Sequence, residues 1–309
     1  MSELFAAILP VFIIGSIGAV IKHKWLTSPE FWLGLGKLSY FILFPLMLIN
    51  ATSVADLGST DILNLTLALA ISTTSLSGIL IIYQIQYSSL TPERFTSVFQ
   101  GVIRYNTYVF FGICNILLGI DGMSIATTVS TYMIILSNVL ALGVFNFFIS
   151  NTNDNQNNTW LFYIKTLVTN PLICASIIGI LLNYFQIIIP ISLKNVLSCM
   201  ANAAFPIGCL IVGSGIQFKF GNINLKIITI TSVIKLCLFP LITALCMYIC
   251  NVHGIAKTVG IIFSSLPTAT SAYILSTQLG GDSELMASII TFTTILSLLS
   301  MFVMVYVFG

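Results

Sequence analysis

Ser264-Ser265-Leu266-Pro267-Thr268-Ala269-Thr270-Ser271-Ala272-Tyr273 puts a proline and a cluster of hydroxyls into an apolar run long enough to cross a bilayer. Pro267 has no amide hydrogen and its ring collides with the preceding turn, so a helix through this segment must release carbonyls and amides in mid-span. A second interruption lies 161 residues earlier, where Gln100-Gly101-Val102-Ile103-Arg104-Tyr105-Asn106-Thr107-Tyr108 sets a cation, an amide and a hydroxyl in another apolar stretch. Polar groups at that depth are costly unless they face a cavity or a partner. Interrupted spans at corresponding positions of two halves point to the site of a secondary transporter. A broken helix offers main-chain amides and the positive end of its dipole to an anion, and a carboxylate suits that geometry.

The same offset of 161 recurs outward from the two breaks, pairing Pro10 with Pro171, Gly18 with Gly179, Phe44-Pro45 with Phe205-Pro206, Thr107 with Thr268, Gly119 with Gly280 and Asp121 with Asp282. Apolar runs predict helices near 3–21, 36–54, 62–83, 95–118, 122–149, 161–182, 196–216, 226–249, 257–279 and 284–308. Residues 1–149 therefore read as a first repeat of five helices, 150–160 as an asparagine-rich polar linker, and 161–309 as a second repeat. An odd number of spans per repeat makes the second copy enter from the opposite side. The expected fold is an all-α membrane protein of about ten transmembrane helices, built as two inverted five-helix repeats.

Composition supports a lipid solvent. Hydrophobic residues make up 57% of the 309 positions, charged residues 6%, and mean hydropathy is +1.05, whereas soluble domains carry roughly 25% charged residues. The apolar runs lack the alternation of barrel strands. A net charge of +2, spread over short connections, leaves no footprint for nucleic acid. The seven cysteines form no CxxC pair and read as packing residues. His23 and His253 fall in connections, and no HExxH, GxSxG or glycine-rich phosphate loop occurs, so neither an enzyme, a metal nor a cofactor is expected. Glu3 stands where a signal peptide would be basic, so the first helix is expected to remain. Lys22, Lys24, Lys37, Arg94, Lys165, Lys219 and Lys226 fall on one side and Lys194 and Lys257 on the other, which predicts both termini outside.

Arg104 and Lys235 are the cations at depth, each able to neutralise an anion or to snorkel. Asn50, after the Phe44-Pro45 kink, either faces the site or serves as packing glue. Asp121 and Asp282 read as caps beside glycine turns. No carboxylate is firmly within the membrane, so a coupling proton has no evident carrier.

The segments Gln100 to Tyr108, with its Arg-x-Asn-Thr-Tyr arrangement, and Leu266 to Asp282 resemble the auxin efflux carrier family, in particular its compact bacterial malate or malonate permeases. The resemblance spans essentially the whole chain. It implies that helices four and nine cross at mid-membrane, with Asn106 and Thr107 at one crossing break and Pro267 at the other. It also implies that one domain moves against a scaffold. Tyr105 stands where plant-like members have proline, so the break in helix four is expected to rest on Asn106, Thr107 and Gly112. Phe110 and Phe111 replace small residues found in many bacterial relatives.

The function expected is a permease or efflux carrier for a small organic anion, a mono- or dicarboxylate such as malate, malonate or an auxin-like acid. The substrate residues expected are Arg104, Asn106, Thr107, Tyr108, Pro267, Thr268, Thr270, Ser271, Asn50 and Lys235. The expected setting is a bacterial inner membrane, with a coupling ion (H+ or Na+) and a homodimer as further candidates. An anion channel and a non-transporting membrane sensor or scaffold are the alternatives the sequence leaves open.

Overall fold

A computed structural model describes residues 2–54, 60–149, 169, 171–216 and 225–309. The expected linker 150–160, Lys165 and Lys219 lie outside the described residues. Every regular element among those described is helical, and six helical stretches are long and apolar enough to cross a membrane: Pro29–Thr52, Asp61–Tyr87, Pro92–Phe148, Ile191–Ser214, Leu225–Ile249 and Ser283–Phe308. Their outward faces are apolar, as with Leu63, Leu67 and Ile71 along one stripe, while Ser72, Thr73, Thr127, Thr131 and Thr291 are buried. That distribution inverts the one water imposes and suits a protein dissolved in lipid, where hydroxyls bond to the preceding turn or across helices.

The elements run α1 Ser2–Lys24, α2 Pro29–Leu38, α3 Phe44–Thr52, α4 Thr60–Tyr87, α5 Pro92–Ile103, α6 Thr107–Phe148, α7 Pro171–Tyr184, α8 Ile191–Ser214, α9 Leu225–Val233, α10 Phe239–Ile249, α11 Gly254–Ser264, α12 Ser271–Leu279 and α13 Ser283–Phe308. Pairs α2/α3 and α9/α10 are each joined by a wide π-helical turn, Ser39–Leu43 and Ile234–Leu238. Both π turns precede a Phe-Pro dipeptide, Phe44-Pro45 and Phe239-Pro240. A proline cannot donate to the turn before it, and the widened turn absorbs that loss without ending the span. Pro206 is carried inside α8 itself.

Boundaries repeat along the chain. Helix α5 and helix α11 start at residues 92 and 254 and end at 103 and 264, and the stretches 29–52 and 191–214 differ by 162 at both ends. The span expected from 36 in fact begins at Pro29, because Ser28 caps its first turn by accepting from the Phe31 amide and proline is welcome at the first helical position.

Helices α1, α3, α7 and α8 pack into one panel, and α4, α5, α6 and α9 to α13 into a second group against it. The panel is held by close backbone approach. A Cβ on Gly18 would collide with the Leu210 backbone, one on Gly213 with the Gly15 backbone, and one on Gly179 with Thr52. Small residues at these crossings let main chains touch where apolar association gives no net drive. Lys22 closes the far end of α8, donating to the Ser214 carbonyl at 2.7 Å.

Candidate functional site at the crossing of two broken helices

The span that begins at Pro92 stops being helical after Ile103, because Arg104 takes an extended conformation (φ −80°, ψ 141°). It resumes at Thr107, capped by Asn106, whose Oδ1 accepts from the amides of Tyr108 at 3.1 Å and Val109 at 3.3 Å. Asparagine is a strong N-cap because its side chain satisfies amides that the first turn leaves orphaned. Gly112, expected to help form this break, lies inside α6 and packs on the Phe205 ring. The cap and the extended Arg104 suffice to interrupt the helix. Thirteen residues into α6, Gly119 leaves helical geometry at φ 61°, a value that glycine tolerates, and Asp121 is exposed just beyond it.

The second break spans the residues between Ser264 and Ser271. Pro267 and Thr268 are buried there, and Thr270 occupies the N-cap of α12 in helical geometry with no side chain closing the first turn. The two breaks touch. The Asn106 amide donates to the Pro267 carbonyl at 3.0 Å, and the Thr268 hydroxyl donates to the Gly101 carbonyl at 2.6 Å. The Thr268 amide in turn donates to Thr293 Oγ1 of α13 at 3.2 Å. Main-chain groups released by each interruption are therefore satisfied largely by the other, as a low-dielectric interior demands.

Arg104 reaches across to the second break. Its guanidinium donates to Gln100 Oε1 at 3.3 Å, Asn138 Oδ1 at 3.0 Å and Ser271 Oγ at 3.4 Å, and Tyr40 of the π turn before α3 lies within electrostatic reach. Arg104 is half-buried and Ser271 exposed, so the cation sits beside the uncapped start of α12 on a reachable face. Gln100 also donates to Ser276 at 3.0 Å, fastening α5 to α12. The other predicted residues are spread around this point. Thr107 and Tyr108 are half-buried, with the Tyr108 ring 4.3 Å from that of Phe44, while Asn50 on α3 makes no hydrogen bond to the crossing. Lys235 is fully enclosed and shares none of Arg104's hydrogen bonds. Asn138, Thr293 and Ser276 were not singled out by sequence. The residue 161 positions after Asn138 is Leu299, so the recurring offset gives no signal there.

The turn between α12 and α13 follows expectation. Gly280 is left-handed (φ 77°), Asp282 accepts from the Leu285 amide at 2.9 Å, and Arg94 pairs with Asp282 at 3.5 Å.

The model of the family described as membrane transport protein matches residues 3–305 of this chain. The chain belongs to that family, the auxin efflux carriers. An uncharacterized transporter of Methanothermobacter thermautotrophicus is 21% identical over 295 residues, covering 95% of each chain. As an auxin efflux carrier family member with lipid-suited helices throughout, the protein is an integral membrane protein of the transporter class.

Proposed function

We propose that the protein is a secondary transporter of a small carboxylate, working by alternating access around the crossing of its two breaks. The observation that carries this reading is the placement of Arg104 Nη2 3.4 Å from Ser271 Oγ, at a helix start that no side chain caps. A guanidinium and a helix N-terminus side by side form a strong attractor for a carboxylate, supplying a planar fork of donors together with a positive dipole end. Asn138 and Gln100 orient the fork. Thr107, Tyr108, Thr270 and Ser271, all at least partly exposed beside the two breaks, are the residues this reading assigns to the wall of the site. Asn106, Pro267 and Thr268 hold the main chain in place.

On this reading the chain is two inverted repeats of five spans, 1–149 and 161–309, and the recurrence of helix boundaries near an offset of 162 supports it. The α1/α3/α7/α8 panel would be the scaffold and the crossing group the moving body. The excess of lysine and arginine on one set of loops favours outward termini in a bacterial inner membrane.

The experiment is uptake of malate, malonate and indole-acetate by liposomes carrying the purified protein. Saturable uptake of a carboxylate is expected, and it should be lost in a double variant with Asn106→Ala and Thr268→Ala. Non-saturating conductance instead indicates a channel. Absence of flux for every carboxylate refutes the transporter reading.

A further inference from the structure

Lys235 is the most thoroughly enclosed cation of the described residues: it is 0% exposed, its ammonium has no hydrogen-bond partner, and it lies 4.8 Å from the Phe239 ring centre. An ammonium isolated in this way is costly, and its long stem could have carried it to a membrane surface. Something at that depth must repay the positive charge.

Three packed helices fix where it lies. Val98, Ile228 and Met286 share one apolar cluster, and one turn further on a Cβ at Gly101 would stand 2.8 Å from Ile289 and 3.2 Å from Thr231. Helices α5, α9 and α13 therefore advance in step and in the same direction. One turn further on, where α5 has already ended at Ile103, Lys235 in the π turn after α9 comes level with Thr293, the residue whose hydroxyl receives the Thr268 amide. Lys235 thus stands at the depth of the crossing, behind it rather than on the Arg104 face. The ends of α5 and α11 arrive at that depth, at Ile103 and Ser264, carrying the negative ends of their dipoles. The hydroxyls of Ser232, three residues before Lys235, and of Ser265, at the end of α11, are likewise buried without partners.

We infer that Lys235 is a built-in counter-charge to the C-terminal ends of α5 and α11, doing at the back of the crossing what a bound monovalent cation would otherwise do. Because the charge is covalently attached, transport needs no sodium or potassium ion to neutralise those ends. This inference rests on the transporter reading above. Arg104 handles the substrate and Asn106 holds the main chain; Lys235 is a positioning residue acting from behind the crossing.

The test uses liposomes with wild type, Lys235→Met, which keeps length and removes charge, and Lys235→Arg, which keeps charge. Uptake of the carboxylate identified above is measured in sodium, potassium and choline chloride, beside substrate affinity and melting in detergent. Wild-type uptake should agree across the three salts to within about twofold. Lys235→Met should melt no lower than wild type yet lose about tenfold or more of its uptake in choline, since a compensating charge at depth is worth more than 1.4 kcal/mol. Lys235→Arg should retain most of it, which a role in packing alone does not predict. Wild-type uptake that depends on sodium or potassium overturns the inference whether or not the variants fold. So does undiminished uptake by Lys235→Met. Neither result touches the transporter reading, which fails only if wild type moves no carboxylate in any salt.

Discussion

The main-chain amide of Asn106 and the carbonyl of Pro267, 161 positions apart in sequence, meet at 3.0 Å inside the protein. One peptide group from each break thus answers the other, and the Asn106 side chain caps α6 from the same point. Replacing Asn106 by alanine leaves the Tyr108 and Val109 amides without an acceptor in a dry interior. A loss of about 1–2 kcal/mol of stability is expected, read as a lowered melting temperature in detergent, together with reduced uptake.

Thr268 ties the second break to α5 through its hydroxyl. Thr268→Val is nearly isosteric but deprives the Gly101 carbonyl of its donor, which costs about 1–3 kcal/mol for a buried group. Thr268→Ser keeps the donor. Uptake should therefore survive in serine and fail in valine, and equal behaviour of the two would show that the hydrogen bond is dispensable.

Arg104 spreads its guanidinium over three acceptors. Lysine carries the charge but cannot reproduce the fork. Arg104→Lys should weaken carboxylate affinity by about tenfold and Arg104→Gln by more, because charge-assisted hydrogen bonds are worth about 1.5–3 kcal/mol. Isothermal titration with the transported acid measures both, and unchanged affinity in Arg104→Gln would remove the residue from the site.

Two glycines separate packing from helix propensity. A Cβ at Gly213 meets the Gly15 backbone, whereas one at Gly34 meets nothing within 4 Å. Gly213→Ala should destabilise by about 1–3 kcal/mol or more through overpacking. Gly34→Ala should be neutral or stabilising by about 0.5–1 kcal/mol, since alanine is the better helix former. Thermal melts of the two variants side by side decide this.

Asp282 serves both as the cap of α13 and as the partner of Arg94, whose side chain is 49% exposed. Asp282→Ala should cost about 1 kcal/mol from the cap, and Arg94→Ala less than about 0.5 kcal/mol, as exposed ion pairs usually do. Neither should change uptake beyond the fraction of folded protein, which a flux assay normalised to folded material will establish.

Much of this arrangement could be read from residue order alone, because the strongest signals are interruptions. Pro267 disfavours a continuous helix where it stands, and the constant offset linked its segment to that of Asn106 through Thr107 and Thr268. Both breaks appear where expected, and Gly280 with Asp282 forms the predicted turn. Arg104 and Lys235 could not be separated in that way. Each is a cation within an apolar span, and only packing reveals that one reaches a half-exposed face while the other is sealed behind it. Gly112 misled for a related reason. Glycine inside a helix signals either flexibility or close contact, and here it makes room for Phe205. Asn138 escaped notice because it comes from α6 beyond the Gly119 bend, and no pattern in sequence predicts which face such a bend turns inward.

The crossing also bears on how such a protein could change its diet. One of the bonds that hold the two interrupted helices together runs from peptide to peptide, Asn106 to Pro267, and most side-chain substitutions leave it in place. On the transporter reading, a substitution at Tyr108, which makes no hydrogen bond to Arg104, would reshape the wall around the substrate while Asn138 and Ser271 keep the guanidinium in place. Were the protein such a carrier, its range of substrates could drift through that wall while the main-chain meeting point beneath it held.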